Sequence, residues 1–332
     1  MGSARAFSEL RLVNGSAGDP VLYIDHPGGD NAILFDGGDN CSLTMQQLGD
    51  LEAVFITHHH VDHFIGLDRI MRANIDRDKT LHLFGPETTI QKVYDRIRSY
   101  EYPFFPFQKI VVRVTELLSG RTRTALLECT KKFPEPEIRE QVWRGRVCYE
   151  NDAVTVEAVP VEHTVPCWAY ALCEKIGFHP DPAKLAGGML RPGNWVGDVL
   201  RKIRVGEPGS TILTIQGGSF TLDSLAENYF AESGGSRVAF VTDTQWSETL
   251  RPELVKLAKG ASRLYCDSFY AKKEAKGAAQ YKHMMAHQAA ELAKLAKVEQ
   301  LVLMHFATRY AGKYEMLIDE AKEVFPRTTA EI

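Results

Sequence analysis

Apolar runs of four or five residues, separated by turn-forming residues, fill the first sixty positions. Leu10-Arg11-Leu12-Val13 runs into Asn14-Gly15, a hairpin-type turn. Val21-Leu22-Tyr23-Ile24 and Ala32-Ile33-Leu34-Phe35 follow, split by Pro27-Gly28-Gly29. Ala53-Val54-Phe55-Ile56-Thr57 is an apolar run bounded by polar residues and predicts a buried strand. The period then changes: Phe64, Ile65, Leu67, Ile70 and Met71 recur at helical spacing, with Asp62 near the N-terminal end. Further strands are predicted at 81–84, 110–114, 154–159, 168–172, 238–241, 263–266 and 301–304. Helices are predicted at 90–97, 250–257, 289–296 and 314–324. Strands interleaved with helices in this way argue for an α/β layered fold.

Between about 175 and 236 this texture breaks. Gly, Pro and polar residues dominate, as in Phe178-His179-Pro180-Asp181-Pro182, Gly187-Gly188, Arg191-Pro192-Gly193-Asn194 and Gly206-Glu207-Pro208-Gly209. The segment reads as an inserted, protruding arm rather than core. There is no internal repeat of fixed period and no low-complexity tract.

Composition narrows the possibilities. A chain of 332 residues suits two compact domains or one large one. Its 44% hydrophobic and 25% charged residues exclude a disordered, collagen-like or coiled-coil protein. No apolar stretch approaches the length of a membrane span. The start, Met1-Gly2-Ser3-Ala4-Arg5-Ala6-Phe7, has no apolar signal core and reads as cytoplasmic. A net charge of −4 excludes a chain-wide basic field for nucleic acid, so any such site must be a local patch. The six cysteines, at 41, 129, 148, 167, 173 and 266, form no CxxC pair and read as reduced, mostly buried small apolar residues.

The sharpest chemical signal is Thr57-His58-His59-His60-Val61-Asp62-His63. It contains H-x-H-x-D-H, formed by His58, His60, Asp62 and His63, at the junction of a buried strand and a helix. Two imidazoles two residues apart in extended chain point the same way, and the Asp-His pair opening the helix can face a second metal. Imidazole and carboxylate suit zinc, manganese or iron. The plain alternative is a His-rich surface loop. Against it stand three further residues that each end an apolar strand: His163 after 154–159, Asp243 after 238–241 and His305 after 301–304. Seven N/O side chains suffice for two metals with one carboxylate bridging.

On these residues the chain resembles the metallo-β-lactamase superfamily and, within it, the ribonuclease Z (tRNA 3′-endonuclease) family. Leu303-Met304-His305-Phe306-Ala307-Thr308-Arg309-Tyr310 is similar to that family's LTHFSSRY segment. His283 with Ala289-Ala290-Glu291-Leu292-Ala293-Lys294 resembles its "HST…AAEIAK" element. The resemblance implies a single αββα sandwich over 1–332, two mixed sheets flanked by helices, with the 175–236 arm inserted. It implies two divalent ions, zinc above manganese or iron. His58, His60 and His163 would hold one, Asp62, His63 and His305 the other, and Asp243 would bridge. Asp36, in Phe35-Asp36-Gly37-Gly38-Asp39, matches a supporting Asp whose neighbouring glycines let the loop pass close to the site. Asp62 is a candidate proton acceptor and His283 a candidate proton donor, with Asp267 in the place of the family's partnering Glu. A homodimer is also implied.

Three departures bear on substrate. Met284-Met285 replaces the family's Ser-Thr after the donor His. Asp36-Gly37-Gly38-Asp39 replaces its DCGE turn. Within the arm, 175–210 holds six basic residues (Lys175, Lys184, Arg191, Arg201, Lys202, Arg204) against Asp181, Asp198 and Glu207. That excess suits contact with the phosphates of a precursor tRNA or is simply a solvated face. Tyr102-Pro103-Phe104-Phe105-Pro106-Phe107 either walls the active site, stacking on a base, or packs ordinarily. His26, His59, His82, His179 and His287 carry no matched role. Two functions therefore compete: a phosphodiesterase cutting precursor tRNA at its 3′ side, and a small-molecule hydrolase of the same scaffold acting on a cyclic phosphodiester, lactone or amide.

Overall fold

Within the strands, successive side chains point to opposite faces, and here both faces are apolar. Ala32 and Leu34 join one hydrophobic cluster, Ile33 and Phe35 another. The same split divides Val54 from Phe55 and Leu264 from Tyr265. Sheets buried on both sides require layers on both sides. The computed structural model describes residues 9–25, 32–175, 177–233 and 235–332. His26, Pro27-Gly28-Gly29 and the stretch Met1–Phe7 lie outside the described residues.

The first sheet has eight strands in sequential order: β1 (Glu9–Leu12), β2 (Leu22–Asp25), β3 (Ala32–Phe35), β4 (Leu51–Phe55), β5 (Thr80–Gly85), β6 (Val111–Leu118), β7 (Arg121–Glu128) and β8 (Arg139–Val142). Strands β3 to β6 run parallel and the flanking pairs antiparallel. Helices α1 (Met45–Gly49), α2 (Val61–Phe64), α3 (Leu67–Asn74) and α4 (Thr89–Arg98) accompany this half. Ile70, Met71, Ile90, Val93 and Ile97 cover the outer face of the sheet.

The second sheet begins with β9 (Val147–Glu150), β10 (Val154–Val161) and β11 (Cys167–Glu174). The chain then leaves it for β12 (Gly177–Pro180), α5 (Pro182–Gly187), α6 (Trp195–Arg204), β13 (Ile212–Ile215), β14 (Gly218–Thr221), α7 (Leu222–Tyr229) and β15 (Phe230–Ser233). β12 pairs with β15 and β13 with β14, so this excursion closes on itself. Its Gly- and Pro-rich sequence hides a small core of its own, with Leu190, Trp195, Val199, Leu200, Leu222, Leu225, Tyr229 and Phe230 buried together.

The chain returns through β16 (Arg237–Val241), α8 (Arg251–Ala258), β17 (Arg263–Asp267), α9 (Ala275–Tyr281), α10 (Ala286–Ala296), β18 (Gln300–Met304), α11 (Glu315–Lys322) and β19 (Thr328–Ala330). The second sheet reads β19-β18-β17-β16-β11-β10-β9, with β16 to β19 parallel. Leu254, Leu257, Ala289, Leu292, Ala293 and Leu317 cover its outer face. Between the sheets lie Phe35, Phe55, Trp168, Tyr170, Phe240 and Tyr265. The layers are therefore helix, sheet, sheet, helix. Among the described residues no helix is long and apolar enough to cross a membrane. All six cysteines are free; Cys129, Cys167 and Cys266 are buried, whereas Cys41 is exposed.

Candidate metal centre

β3 and β4 share one direction in the first sheet and β10, β16, β17 and β18 share one in the second. The contacts of His58 and His63, past β4, with Asp243, past β16, bring the two sets of carboxyl ends to one edge of the sandwich. The open carboxyl edge of such sheets is where α/β folds place their sites. Asp36 directly follows β3, His58 lies three residues beyond β4, His163 two beyond β10, and Asp243 two beyond β16. Asp267 ends β17, and His305 directly follows β18. Asp36, Asp243 and His305 sit at φ +58°, +49° and +61°. These left-handed conformations turn the chain abruptly and cost roughly 1–3 kcal/mol each.

The seven residues singled out as metal ligands come together. His58, His60, His163 and Asp243 offer donor atoms within 4.8 Å of one another, and so do Asp62, His63 and His305. His58 Nε2 and His163 Nε2 each lie 3.6 Å from Asp243 Oδ2, and His63 Nε2 lies 3.4 Å from Asp243 Oδ1. His63 Nε2 and His305 Nε2 approach Asp62 Oδ2 at 3.5 and 3.3 Å. Metal–ligand bonds near 2.0–2.1 Å in a tetrahedral shell separate donors by about 3.3 Å.

The hydrogen bonds behind the cluster fix which nitrogens face it. Asp36 Oδ1 accepts from Thr57 N at 2.7 Å, and the Thr57 hydroxyl lies 2.9 Å from both Asp36 oxygens. With its proton given to Asp36, that hydroxyl accepts from His58 Nδ1 at 3.0 Å. His63 Nδ1 donates to Asp36 Oδ2 at 2.7 Å, and His163 Nδ1 donates to the Lys282 carbonyl at 3.2 Å. In each of these three rings Nδ1–H is used and Nε2 is the nitrogen turned to the cluster. His58 Nε2, His63 Nε2, His163 Nε2 and His305 Nδ1 are buried without a hydrogen-bond partner. Buried polar atoms are ordinarily satisfied. Four orphaned imidazole nitrogens converging on two carboxylates fit a divalent metal centre.

The electrostatics agree. Burial, reinforced by His63, holds His58 down at about 2, and burial lowers His163 as well. Burial also pulls on His63, but Asp243 and Asp36 outweigh it and raise the imidazole to about 10. His305 is raised against burial, chiefly by Asp243. Burial works to raise Asp62 and Asp243, but their histidine neighbours lower both, so the carboxylates stay ionised. Burial pushes Asp36 up, against the pull of His63 and Thr57.

Beside the cluster, His283 Nδ1 lies 3.0 Å from Asp267 Oδ2, and His283 Nε2 lies 3.9 Å from Asp243 Oδ2. Asp267 is held by the amides of Phe269 and Met284 at 3.0 and 3.1 Å. Phe269 stacks on the His283 ring, 4.3 Å between centroids. Burial opposes protonation of His283, yet Asp267 raises its pKa above the ordinary value. Met284 is fully buried and Met285 nearly so. A Cβ at Gly38 would collide with the Asp62 carbonyl, which explains the glycine two residues after Asp36.

Some roles are not written in the sequence. Thr57 stands inside the motif with no chemistry of its own to mark it, although it connects Asp36 to His58. His59 Nε2 reaches Thr89 Oγ1 at 2.9 Å, tying the motif loop to the start of α4. Neither Lys282, whose carbonyl holds His163, nor Phe269 belongs to any motif. Of the remaining histidines, His287 bonds Glu320, His179 lies 2.9 Å from buried Glu174, and His82 packs edge-on to Tyr149. Tyr102 and Phe104 pack on Phe133 in the outer core. Phe105 and Phe107 stack on each other, exposed, beside a cavity of about 610 Å³ that no residue of the cluster lines.

Comparison with known proteins agrees with this geometry. The family described as Anti-Pycsar protein Apyc1 matches residues 1–99, the segment that contains the H-x-H-x-D-H motif. The chain is 27% identical to a ribonuclease Z of Deinococcus radiodurans over 314 residues, 93% of each protein. Among solved structures it superposes on the short form of human tRNase Z with a TM-score of 0.53 at 16% identity, covering 90% of this chain and 92% of that one. It superposes on the metallo-β-lactamase fold protein YhfI of Bacillus subtilis with a TM-score of 0.55 at 15% identity, covering 96% and 93%. The fold is the metallo-β-lactamase sandwich, and ribonuclease Z is similar to it along nearly the whole chain.

Proposed function

We propose that this chain, similar to ribonuclease Z along nearly its whole length, is a dinuclear metal-dependent phosphodiesterase that cuts precursor tRNA at its 3′ side. The observation that carries the reading is the buried Asp267–His283 pair beside the seven-residue cluster. An RNA phosphodiester expels an alkoxide, which needs a proton as it leaves.

In this reading His58, His60 and His163 hold one divalent ion, and Asp62, His63 and His305 the other. Asp243 touches both groups. The donor set of imidazoles and carboxylates without thiolate suits zinc. Two such ions supply a water of lowered pKa and neutralise charge on the phosphodiester. The chain's own residues do the rest. Asp36 and Thr57 orient His63 and His58. Asp62, the most exposed carboxylate of the cluster and kept ionised, accepts a proton from the attacking water. His283 donates from Nε2 to the leaving oxygen, while Asp267 orients it through Nδ1 and keeps it protonated.

The whole chain acts as one domain, with 175–236 as an arm that docks the body of the tRNA, in a cytoplasmic homodimer. Sedimentation of the purified protein tests the dimer. One observation favours the second reading, a small-molecule hydrolase acting on a cyclic phosphodiester, lactone or amide. Over 175–236 the six basic residues are matched by six acidic ones, because Asp223, Glu227 and Glu232 follow the basic stretch. Arg201 pairs with Asp198, Lys202 with Glu207, and Lys175 with Glu150. The arm thus offers shape more than charge. Metal-reconstituted protein assayed side by side on a precursor tRNA and on bis(p-nitrophenyl) phosphate separates the readings. The first predicts cleavage of both, the second of the small diester alone.

A further inference from the structure

With three of the arm's six cations already paired and its acids equal in number to its bases, the phosphates of an RNA need positive charge elsewhere as well. The segment Tyr270 to His283 holds four lysines, Lys272, Lys273, Lys276 and Lys282, against a single acid, Glu274. A 3₁₀ turn, Lys272–Glu274, runs straight into α9, and His283 follows one residue after the helix is capped. The His283 amide bonds back to the Ala278 carbonyl at 3.0 Å, so the donor imidazole is fastened to this helix.

Lys272 and Lys276 are four residues apart, Lys273 and Lys276 three. At that spacing side chains on a helical turn are neighbours, and like charges repel. All three are exposed. Among the described residues none has a carboxylate within ion-pair distance, while Glu274 turns instead to Arg309 at 2.9 Å. Several other cations of this net-negative chain are paired: Arg96 with Asp68, Lys109 with Asp78, Arg123 with Glu140, Arg237 with Glu157. The loop carrying Arg309 is bound to the same segment, through Ala271 N to Tyr310 Oη at 3.0 Å and Arg309 over the Tyr270 ring. Exposed Tyr281 offers a ring next to Lys282. At 1.5 Å per residue α9 is about 10 Å long, the reach of about three nucleotides of a strand.

We infer that the exposed face of Lys272, Lys273 and Lys276 is the electrostatic seat of the RNA, holding backbone phosphates on the leaving-group side of the scissile bond. This rests on the ribonuclease reading and adds to it where the phosphates are held. Lysine suits the task as a compact point charge toward phosphate. The interaction releases counterions, so it must show in the salt dependence of binding.

The test is the affinity of metal-loaded protein for a fluorescent precursor tRNA, measured against salt. Wild type is compared with K272Q/K273Q/K276Q and with K256Q/K259Q/K294Q, which removes the same charge from exposed positions on and beside α8 and on α10. Melting temperatures verify that both variants fold. The α9 variant should bind more than tenfold more weakly near 0.1 M salt. Its log K against log salt slope should be shallower by about 2, at roughly 0.7 for each phosphate no longer neutralised. The control should keep the wild-type slope. An α9 variant with wild-type slope, or a control that weakens as much, overturns the inference while leaving the ribonuclease reading intact. Wild type that neither binds nor cuts the RNA yet hydrolyses bis(p-nitrophenyl) phosphate overturns the ribonuclease reading itself.

Discussion

Asp267 Oδ2 lies 3.0 Å from His283 Nδ1, at the buried end of a ring whose other nitrogen faces the metal cluster. The carboxylate raises the pKa of His283, so the imidazole stays protonated to higher pH than it would alone. A general acid must carry its proton, and its titration forms the alkaline limb of the pH–rate profile. Asp267→Asn should therefore move that limb to lower pH and reduce kcat on RNA about tenfold or more, with KM little changed. His283→Ala should cost about 10²–10⁴-fold on RNA and much less on bis(p-nitrophenyl) phosphate, whose nitrophenolate leaves without a proton. Equal losses on the two substrates would remove the proton-donor role.

Asp36 is fully buried and bonds His63 and Thr57, so in the proposed reading it acts through them, not on a substrate. Asp36→Asn keeps a residue type that tolerates the left-handed backbone at this position, but replaces the charged acceptor of the His63 hydrogen bond. Metal affinity should fall about 10–100-fold with the fold retained. Competition against a chelator of known affinity measures it, and unchanged affinity would show that His63 needs no such support.

His59 stands between two candidate ligands, His58 and His60, yet its own ring reaches Thr89. His59→Ala should lower stability by about 1 kcal/mol through the lost hydrogen bond while the protein still takes up its metal. His58→Ala should lose metal outright. Elemental analysis after reconstitution, with thermal melting alongside, distinguishes the two. Metal loss in His59→Ala equal to that in His58→Ala would contradict the assignment.

Metal uptake should depend on pH with a defined sign. In the metal-free protein His63 is raised from 6.5 to about 10 by Asp243 and Asp36, and His305 is raised as well. At neutral pH both carry protons that an incoming metal displaces, so affinity should rise as pH rises from 7 to 9. Without metal, the stability that protonated His63 contributes is fully present below 6.5 and is lost as pH climbs through about 10. The melting temperature of chelator-treated protein should thus fall over pH 7–9 relative to that of loaded protein. Parallel curves would exclude these histidines from metal binding.

What is legible in the chain and what is not follows from where the partners lie. β3, β4 and β16 to β18 are apolar on both faces, and their chemistry-bearing residues stand at or just past their carboxyl ends, so strand and ligand can be read together. β7 escapes the pattern because Arg121-Thr122-Arg123-Thr124 gives it a polar start that only its long pairing with β6 organises. Helices α6 and α7 are hidden by the Gly and Pro that punctuate the arm, although Trp195, Leu200, Leu225 and Tyr229 form its core. The roles of Thr57 and His59 depend on Asp36 and Thr89, 21 and 30 residues away. The basic excess of 175–210 suits a phosphate surface in sequence, but in three dimensions Arg201 and Lys202 pair with acids nearby.

That the clustered histidines and carboxylates form a metal centre that hydrolyses RNA is tested most directly by mapping the product ends of a 3′-extended precursor tRNA. The precursor is incubated with metal-loaded wild type, with chelated wild type and with metal-reconstituted Asp62→Ala. Asp62 lies in the first turn of α2, partly exposed, so its loss should spare the fold. The expected result is a single cut at the 3′ side of the tRNA by loaded wild type only, abolished by chelation and by Asp62→Ala while circular dichroism stays native. An intact precursor under loaded wild type that hydrolyses bis(p-nitrophenyl) phosphate, or undiminished cleavage by a folded Asp62→Ala, would contradict it.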